Sequence, residues 1–484
     1  MSIGKELTKG VFWIAVAKYS GIVISLVITA ILARNVSPAA FGTMAVATVI
    51  MAFLDIFSDM GLGVAIIQFK DLTKHNIRSL FTISVGLAIG LTLILFFSAG
   101  SIADFYNDET LVPVIRWLCI CLFFKTLNII PNGMMLKNKM FRAIAVRTLC
   151  FQVVSGAFAC WMALHGWGIY ALLVSPIVSA VGVFAYNFYN FPQCPVWPID
   201  MEVVKRVWSY SMYQFLFSFI NYFSRNADKL IIGKFFSMKD LGYYDKSYRL
   251  MQLPLQNITF VITPVLHPIL SSLQDNKEEL AEKNIRLTQI LSWISFPLGI
   301  FLYFCASPII VIIFGKNWLP AIPVFEILAI SVPLQIILST SGSLFQAAGK
   351  TNHLFYCGLQ SAICTVGAFI IAAVYFRTIE SVAWAWDIAL LINFVINYWI
   401  MNRYTLHSKS WPFYKQFLPQ IFNSAVTIVI VLLAIKLWTP IEPILQILWI
   451  LIATILPTLI MATVLHQYNP LDIFRVIGRK ILNK

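Results

Sequence analysis

The chain has 484 residues, 59% of them hydrophobic and 12% charged, against roughly 45–50% and about 25% in soluble domains. That composition excludes a soluble globular protein, and at about 20 apolar residues per membrane helix the length leaves no room for a large catalytic or nucleotide-binding domain. The net charge of +14 raises nucleic acid as a partner, which the placement of the cations decides.

Lys5 and Lys9 precede an apolar run over 10–33 that is too long for a signal peptide and is interrupted by Lys18, so it reads as a retained first span. Further spans are predicted over 41–66, 79–102, 111–134, 142–165 and 167–190. A stretch with Pro192, Pro195 and Pro198 follows and reads as a stiff link. Six more spans come next, over 206–232, 241–268, 286–312, 320–343, 354–376 and 380–402, then a last pair over 417–437 and 443–465. Asn469-Pro470 opens a short amphipathic segment, with Leu471, Phe474, Ile477 and Ile481 opposite Arg475, Arg479 and Lys480, suited to lie on an anionic leaflet.

With both termini cytoplasmic, the inner segments hold most of the cations, among them Lys70, Lys74, Lys137, Arg147, Arg206 and Arg403. The outer ones hold only Arg34, Lys234, Lys239, Lys316, Arg377 and Lys436, and the connection with Asp104, Asp108 and Glu109 is purely acidic. This is the positive-inside asymmetry of a multi-pass protein. It accounts for the net charge, so no nucleic acid is expected. The eight cysteines, all but Cys194 inside apolar segments, act as small fillers, and no histidine stands at ligand spacing, so no metal site is expected. There is no G-x-x-x-x-G-K-[ST] phosphate loop.

The connection after the first span, ARNVSPAAFGTM (33–44), returns as GKFFSMKDLGYY (233–244): Arg34 matches Lys234, Ser37 matches Ser237 and Gly42 matches Gly242. VPVIRWL (112–118) and IPVFEIL (322–328) make a second pair. Six spans separate the copies, an even number, so the repeats are parallel. The expected architecture is all-α and polytopic: about fourteen transmembrane helices in two six-helix lobes, 1–195 and 196–410, around a central cavity, with the last two helices and the amphipathic segment over 411–484.

Charges at membrane depth are costly and mark function by default. In the seventh span Gln214, Ser218, Asn221, Arg225 and Asp228 recur every four or three residues and form one stripe, with Lys229 beside it. In the eighth, Asp245, Arg249, Gln252, Gln256, Thr259 and Thr263 do the same, with Lys246 adjacent. The first two spans add Lys18, Asp55 and Asp59. These residues either line a substrate cavity or satisfy one another as buried pairs. As a cavity, its excess of Lys18, Arg225, Lys229, Lys246 and Arg249 over the carboxylates suits an anionic, phosphate-bearing cargo. Asp55 and Asp59, one turn apart, are candidates for a coupling H+ or Na+; the alternative is an ion pair with Lys18. Lys125 is a weaker cavity candidate, and Asp387 has no assigned role.

The blocks GVFWIAVAKYSGIVISLVITAILARNVSPAAFGTMAVATVIMAFLDIFSDMGLGVAIIQ and NADKLIIGKFFSMKDLGYYDKSYRLMQLPLQNI resemble the multidrug/oligosaccharidyl-lipid/polysaccharide exporter superfamily, and within it the polysaccharide flippases of the colanic-acid and teichuronic-acid exporter branch. The resemblance covers essentially the whole chain. It implies a V-shaped fold of two six-helix bundles that moves undecaprenyl-diphosphate-linked sugar repeats to the outer leaflet of a bacterial inner membrane by alternating access. It further implies surface-polysaccharide assembly beside a polymerase and glycosyltransferases, no cofactor beyond a coupling ion, and no catalytic residue. In some flippase relatives the extra helix pair forms a lipid groove. A peptidoglycan-precursor flippase and a drug/cation antiporter of the same superfamily are the alternatives, the basic excess counting against the second. Short outer connections argue against a membrane glycosyltransferase.

Overall fold

The computed structural model describes residues 3–69, 71–271, 273–274 and 276–464. Within them the side chains of 3–11, 64, 207–211, 213, 214, 216–218, 220, 221, 223, 224 and 260–269 lie outside the described residues, as does the predicted segment from Asn469. No strand occurs among the described residues. Backbone groups in lipid must be satisfied within their own segment, which a helix does. Eleven helical spans are long and apolar enough to cross a membrane, and Lys316–Ile330 with Val332–Ala347, bent by 43°, makes a twelfth. The protein is therefore an all-α multi-pass membrane protein. Fourteen spans are expected from the sequence. The difference lies in two helices of 35 and 34 residues, which have the length to cross but whose polar stripes dilute their apolar character.

The first compact unit comprises residues 1–242 and 313–317. It contains α1 (Ile3–Asn35), α2 (Pro38–Asp59), α3 (Leu62–Gln68), α4 (Lys74–Tyr106), α5 (Leu111–Leu127), α6 (Ile129–Lys137), α7 (Phe141–Leu164), α8 (Ile169–Asn190) and α9 (Met201–Phe235). The span predicted over 41–66 is broken, because Met60 and Gly61 both take positive φ, 36° and 75°, ending α2 before α3 starts. α1 packs on α7, α7 on α8, and α5 on both α4 and α8. α9 opens the second sequence repeat yet packs here, on α2, where Phe215, Phe219 and Tyr222 meet Phe53 and Phe57 at ring separations of 5.2 to 6.1 Å.

The proline-containing link is fastened by hydrogen bonds as well as stiffened. The Val196 amide donates to Thr82 Oγ1 (2.9 Å), the Asp200 amide to Ser79 Oγ (3.1 Å), and Asn76 Nδ2 to Asp200 Oδ2 (2.7 Å). Asp200 Oδ1 then caps α9 by accepting the Glu202 and Val203 amides. The repeat is visible at the start of α2: Ser37 caps that helix, and Ser237 accepts the Asp240 amide in the matching turn. A Cβ on Gly42 would stand 1.7 Å from the carbonyl oxygen of Met238, and one on Gly242 would stand 2.1 Å from that of Pro38. The two repeat turns thus abut backbone to backbone, a contact only glycine permits.

The second unit comprises residues 243–312 and 318–484. Its helices are α10 (Met238–Ser271), whose first turn belongs to the first unit, α11 (Lys277–Phe304), α12 (Ala306–Ile313), α13 (Ile322–Ile330), α14 (Val332–Leu338), α15 (Ser341–Ala347), α16 (Thr351–Ile371), α17 (Ile379–Ile400), α18 (Ser410–Lys415), α19 (Leu418–Leu437) and α20 (Pro443–Val464). α11 packs against α13, α14, α19 and α20, with Cys305, Val431 and Ile450 forming a buried core. Trp449 of α20 stacks edge-on with Trp438 at 5.3 Å and donates its Nε1 hydrogen to Ala434 O at 3.2 Å. α17 packs on α13, α14 and α16.

Candidate functional site

In the first unit, Asp55 of α2 pairs with Lys125 of α5 at 3.1 Å, their side chains 34% and 49% exposed. The ion pair considered for Asp55 exists, but Lys125 rather than Lys18 provides it. Asp59, one turn on, accepts the Gly63 amide at 3.2 Å and holds the break before α3. Lys18 is half-buried on α1. Arg147, counted with the inner-loop cations, is instead buried inside α7, because that helix already begins at Phe141. Its guanidinium donates to Asn187 Oδ1 and, at 3.5 Å, to Asn132 Oδ1, while Asn187 Nδ2 donates to Asn128 Oδ1 at 2.7 Å. Amide oxygens here replace water around a buried cation.

On α9, Arg225 is exposed, Lys229 is half-buried, and Asp228 is buried with Oδ1 accepting the Lys229 amide at 2.8 Å. Arg225 is thus open and Asp228 covered, although they lie one turn apart. The side chains of Gln214 and Asn221 lie outside the described residues. Outside the spans, Arg206 binds Asp71 at 2.6 Å, and this hydrogen bond together with its charge holds the Asp71 carboxyl below the usual carboxylate range.

In the second unit, α10 carries the most ordered group. Asp245, 2% exposed, pairs with Arg249, 54% exposed, at 2.8 Å. A buried carboxylate thus fixes one edge of a guanidinium whose other donors stay accessible, the arrangement that recognises a carboxylate or phosphate by a planar fork. Lys246 is buried beside it. One turn on, Gln252 Nε2 donates to Tyr248 Oη (3.1 Å) and to Gln335 Oε1 of α14 (3.3 Å). Gln335 Nε2 in turn donates to Ser331 Oγ at 2.8 Å. Gln256 is exposed further along. Ser331 and Gln335 escaped the sequence reading, although their spacing of four inside a predicted span places them on one helix face. A separate apolar cavity of about 610 Å³ lies among α11, α14 and α19, lined by Phe296, Ile300, Phe304, Leu334, Ile428 and Leu432 among others.

A family model described as "Polysaccharide biosynthesis protein" matches residues 31–323. The teichuronic acid biosynthesis protein TuaB of Bacillus subtilis is 26% identical over 83% of each chain. The lipopolysaccharide biosynthesis protein WzxC of Escherichia coli is 25% identical over 86% of this chain and 84% of its own length. The succinoglycan biosynthesis transport protein ExoT of Rhizobium meliloti is 24% identical over 85% and 82%. Among solved structures, the lipid II flippase MurJ in an inward closed conformation has a TM-score of 0.76 at 15% identity, covering 94% of this chain and 99% of that one. An inward-facing multidrug transporter of the MATE family has a TM-score of 0.59 at 13% identity, covering 80% and 96%. At these identities the structural likenesses concern the fold.

Proposed function

Because the chain belongs to the polysaccharide biosynthesis protein family, we propose that it is a flippase for polyprenyl-diphosphate-linked oligosaccharide repeat units. It carries them from the cytoplasmic to the outer leaflet of a bacterial inner membrane by alternating access, for assembly of a surface polysaccharide, and performs no covalent chemistry. The observation that carries this reading is the Asp245–Arg249 pair, in which a buried carboxylate holds out a half-exposed guanidinium. Such a pair is expensive to maintain unless an anion uses it. Arg249, with Lys246 beside it in the second unit, takes the diphosphate or acidic sugars; Arg225, Lys229 and Lys18 of the first unit are each proposed, separately, to favour an anionic cargo. Three relatives are named for the biosynthesis of teichuronic acid, lipopolysaccharide and succinoglycan, the last also for transport, and this supports a glycan cargo.

The apolar cavity beside α19 suits the polyprenyl chain, which gives the appended helices a role in lipid binding. The lobes follow the repeat, 1–195 and 196–410, with 411–484 appended. Both termini face the cytoplasm, as the positive-inside asymmetry implies, and a polymerase and glycosyltransferases are the expected partners on either side of the transport step.

The deciding experiment measures lipid-linked oligosaccharide on the inner leaflet and polysaccharide at the surface, with and without the gene. Accumulation inside with loss outside is the expected result. Unchanged glycan lipids together with new sensitivity to cationic compounds would move the protein to the antiporter reading, and accumulation of the peptidoglycan precursor would identify that lipid as the cargo.

A further inference from the structure

A cavity of about 630 Å³ opens at the end of the first unit away from the proline-containing link, the outer end in the orientation proposed above. Its size falls within the roughly 300–1,000 Å³ of small-molecule sites. Four segments wall it: the turn between α1 and α2, the turn between α4 and α5, the start of α8, and the turn from α9 into α10. Asp108 and Lys234 are the two charged residues of the lining, so it carries no net charge. The Lys234 ammonium is already engaged, donating to Phe105 O at 2.5 Å and standing 4.3 Å from the Phe105 ring.

Asp108 is held in place from two sides. Thr43 of α2, 3% exposed, donates to Oδ2 at 2.7 Å, and the Thr110 hydroxyl and amide donate to Oδ1 at 2.5 and 3.0 Å. A carboxylate has about four lone-pair sites; three are taken here, and one on Oδ2 is left for a further donor.

The two repeat turns differ where they meet the cavity. In the turn into α10, Ser237 Oγ accepts the Asp240 amide at 3.1 Å and gives its own proton to Asp240 Oδ2 at 2.6 Å. In the turn into α2 the matching residue is Ala40, and Ser37 Oγ accepts the Ala40 amide at 3.3 Å while no described residue takes its proton. Ser37 and Ala40 both line the cavity. The first copy therefore lacks a carboxylate, which leaves a hydroxyl donor and the room of a side chain on the wall.

The wall offers a donor at Ser37, an acceptor at Asp108, an amide with both at Asn107, and the rings of Phe235 and Phe236. A sugar ring is the neutral complement of such a surface, with hydroxyls that donate and accept around its rim and C–H groups on its faces. A diphosphate would instead meet the Asp108 carboxylate, with the lining's one cation already engaged. From this geometry we infer that the cavity is a saccharide-binding site, containing none of the cations assigned above to the anionic part of the cargo. Its use for the glycan of a lipid-linked cargo rests on the flippase reading; sugar binding itself does not.

The test is a saturation-transfer NMR titration of the full-length protein in phospholipid nanodiscs. The probe is the oligosaccharide released by mild acid from the producing cell's own surface polysaccharide, which carries neither lipid nor diphosphate. Saturable binding is expected from the wild type. Ala40→Asp rebuilds in the first copy the turn that the second copy already holds, so it is expected to melt no lower than the wild type while binding at least tenfold more weakly. Phe235→Ala, at a ring 55% exposed, is expected to weaken binding several-fold with the melting temperature unchanged. No saturable signal from the wild type, or full affinity in both variants, overturns the inference. Displacement of the oligosaccharide by inorganic diphosphate also overturns it, making the cavity an anion site. Saturable binding combined with unchanged lipid-linked oligosaccharide after gene deletion keeps the sugar site and removes the flippase reading; accumulation after deletion with no binding of the free oligosaccharide does the opposite.

Discussion

Arg249 and Asp245 differ in exposure although they lie one turn apart, and the proposed anion site rests on that difference. An exposed ion pair contributes about 0–1 kcal/mol, which describes Asp55 with Lys125. A pair with one buried member is held by its geometry and fails when either partner goes. Arg249→Ala is accordingly expected to abolish glycan export while membrane insertion stays normal, and Arg225→Ala to do the same. Arg249→Lys is expected to recover only part of the activity, because a point charge replaces a two-pronged donor. Surface polysaccharide and membrane protein level, measured together, check this; export intact in both alanine variants would remove the cationic site. That the cation belongs to an acidic neighbour four residues earlier is legible from spacing alone. That the carboxylate is covered and the guanidinium open depends on what packs against α10.

At the scale of elements, the repeat turns make the sharpest structural demand. Gly42→Ala and Gly242→Ala each drive a methyl group into a backbone carbonyl, which no rotamer change relieves, so a loss of about 1–3 kcal/mol is expected from each. Gly86→Ala, with nothing within 4 Å of the added Cβ, is the internal control. Placed inside α4, it is expected to hold or raise stability by about 0.5–1 kcal/mol, since alanine is the better helix former. Thermal melts of the purified variants in one detergent separate the two behaviours. The offset between Gly42 and Gly242 is readable in the chain, but their mutual approach is a property of two turns separated by seven helices. Breaks within spans were also beyond reach: the 41–66 span reads as continuous apolar sequence, and only the backbone at Met60 and Gly61 divides it.

For the whole molecule the decisive prediction is orientation. Cys194 is exposed in the link between α8 and α9, and Cys150 is the other exposed cysteine. In a Cys150→Ala background, a membrane-impermeant thiol reagent is expected to label Cys194 only after the cytoplasmic face is opened. Labelling of Cys194 in intact spheroplasts would invert the topology and with it the direction in which the cationic stripes are loaded.

The residues alone determined that this is a helical multi-pass membrane protein with a parallel repeat, a basic excess on one side and two polar stripes, because apolar run length, charge bias and a period of 3.6 residues are properties of the chain itself. They also carry the family likeness, spread over both repeats. Only the tertiary structure decided which polar group meets which: Asp55 with Lys125 rather than Lys18, Arg147 buried among asparagines, α9 packed on α2, and Gln252 bonded to Gln335. Periodicity names the face on which a side chain stands. What covers that face, and whether it brings a donor, an acceptor or a charge, comes from segments far away in sequence.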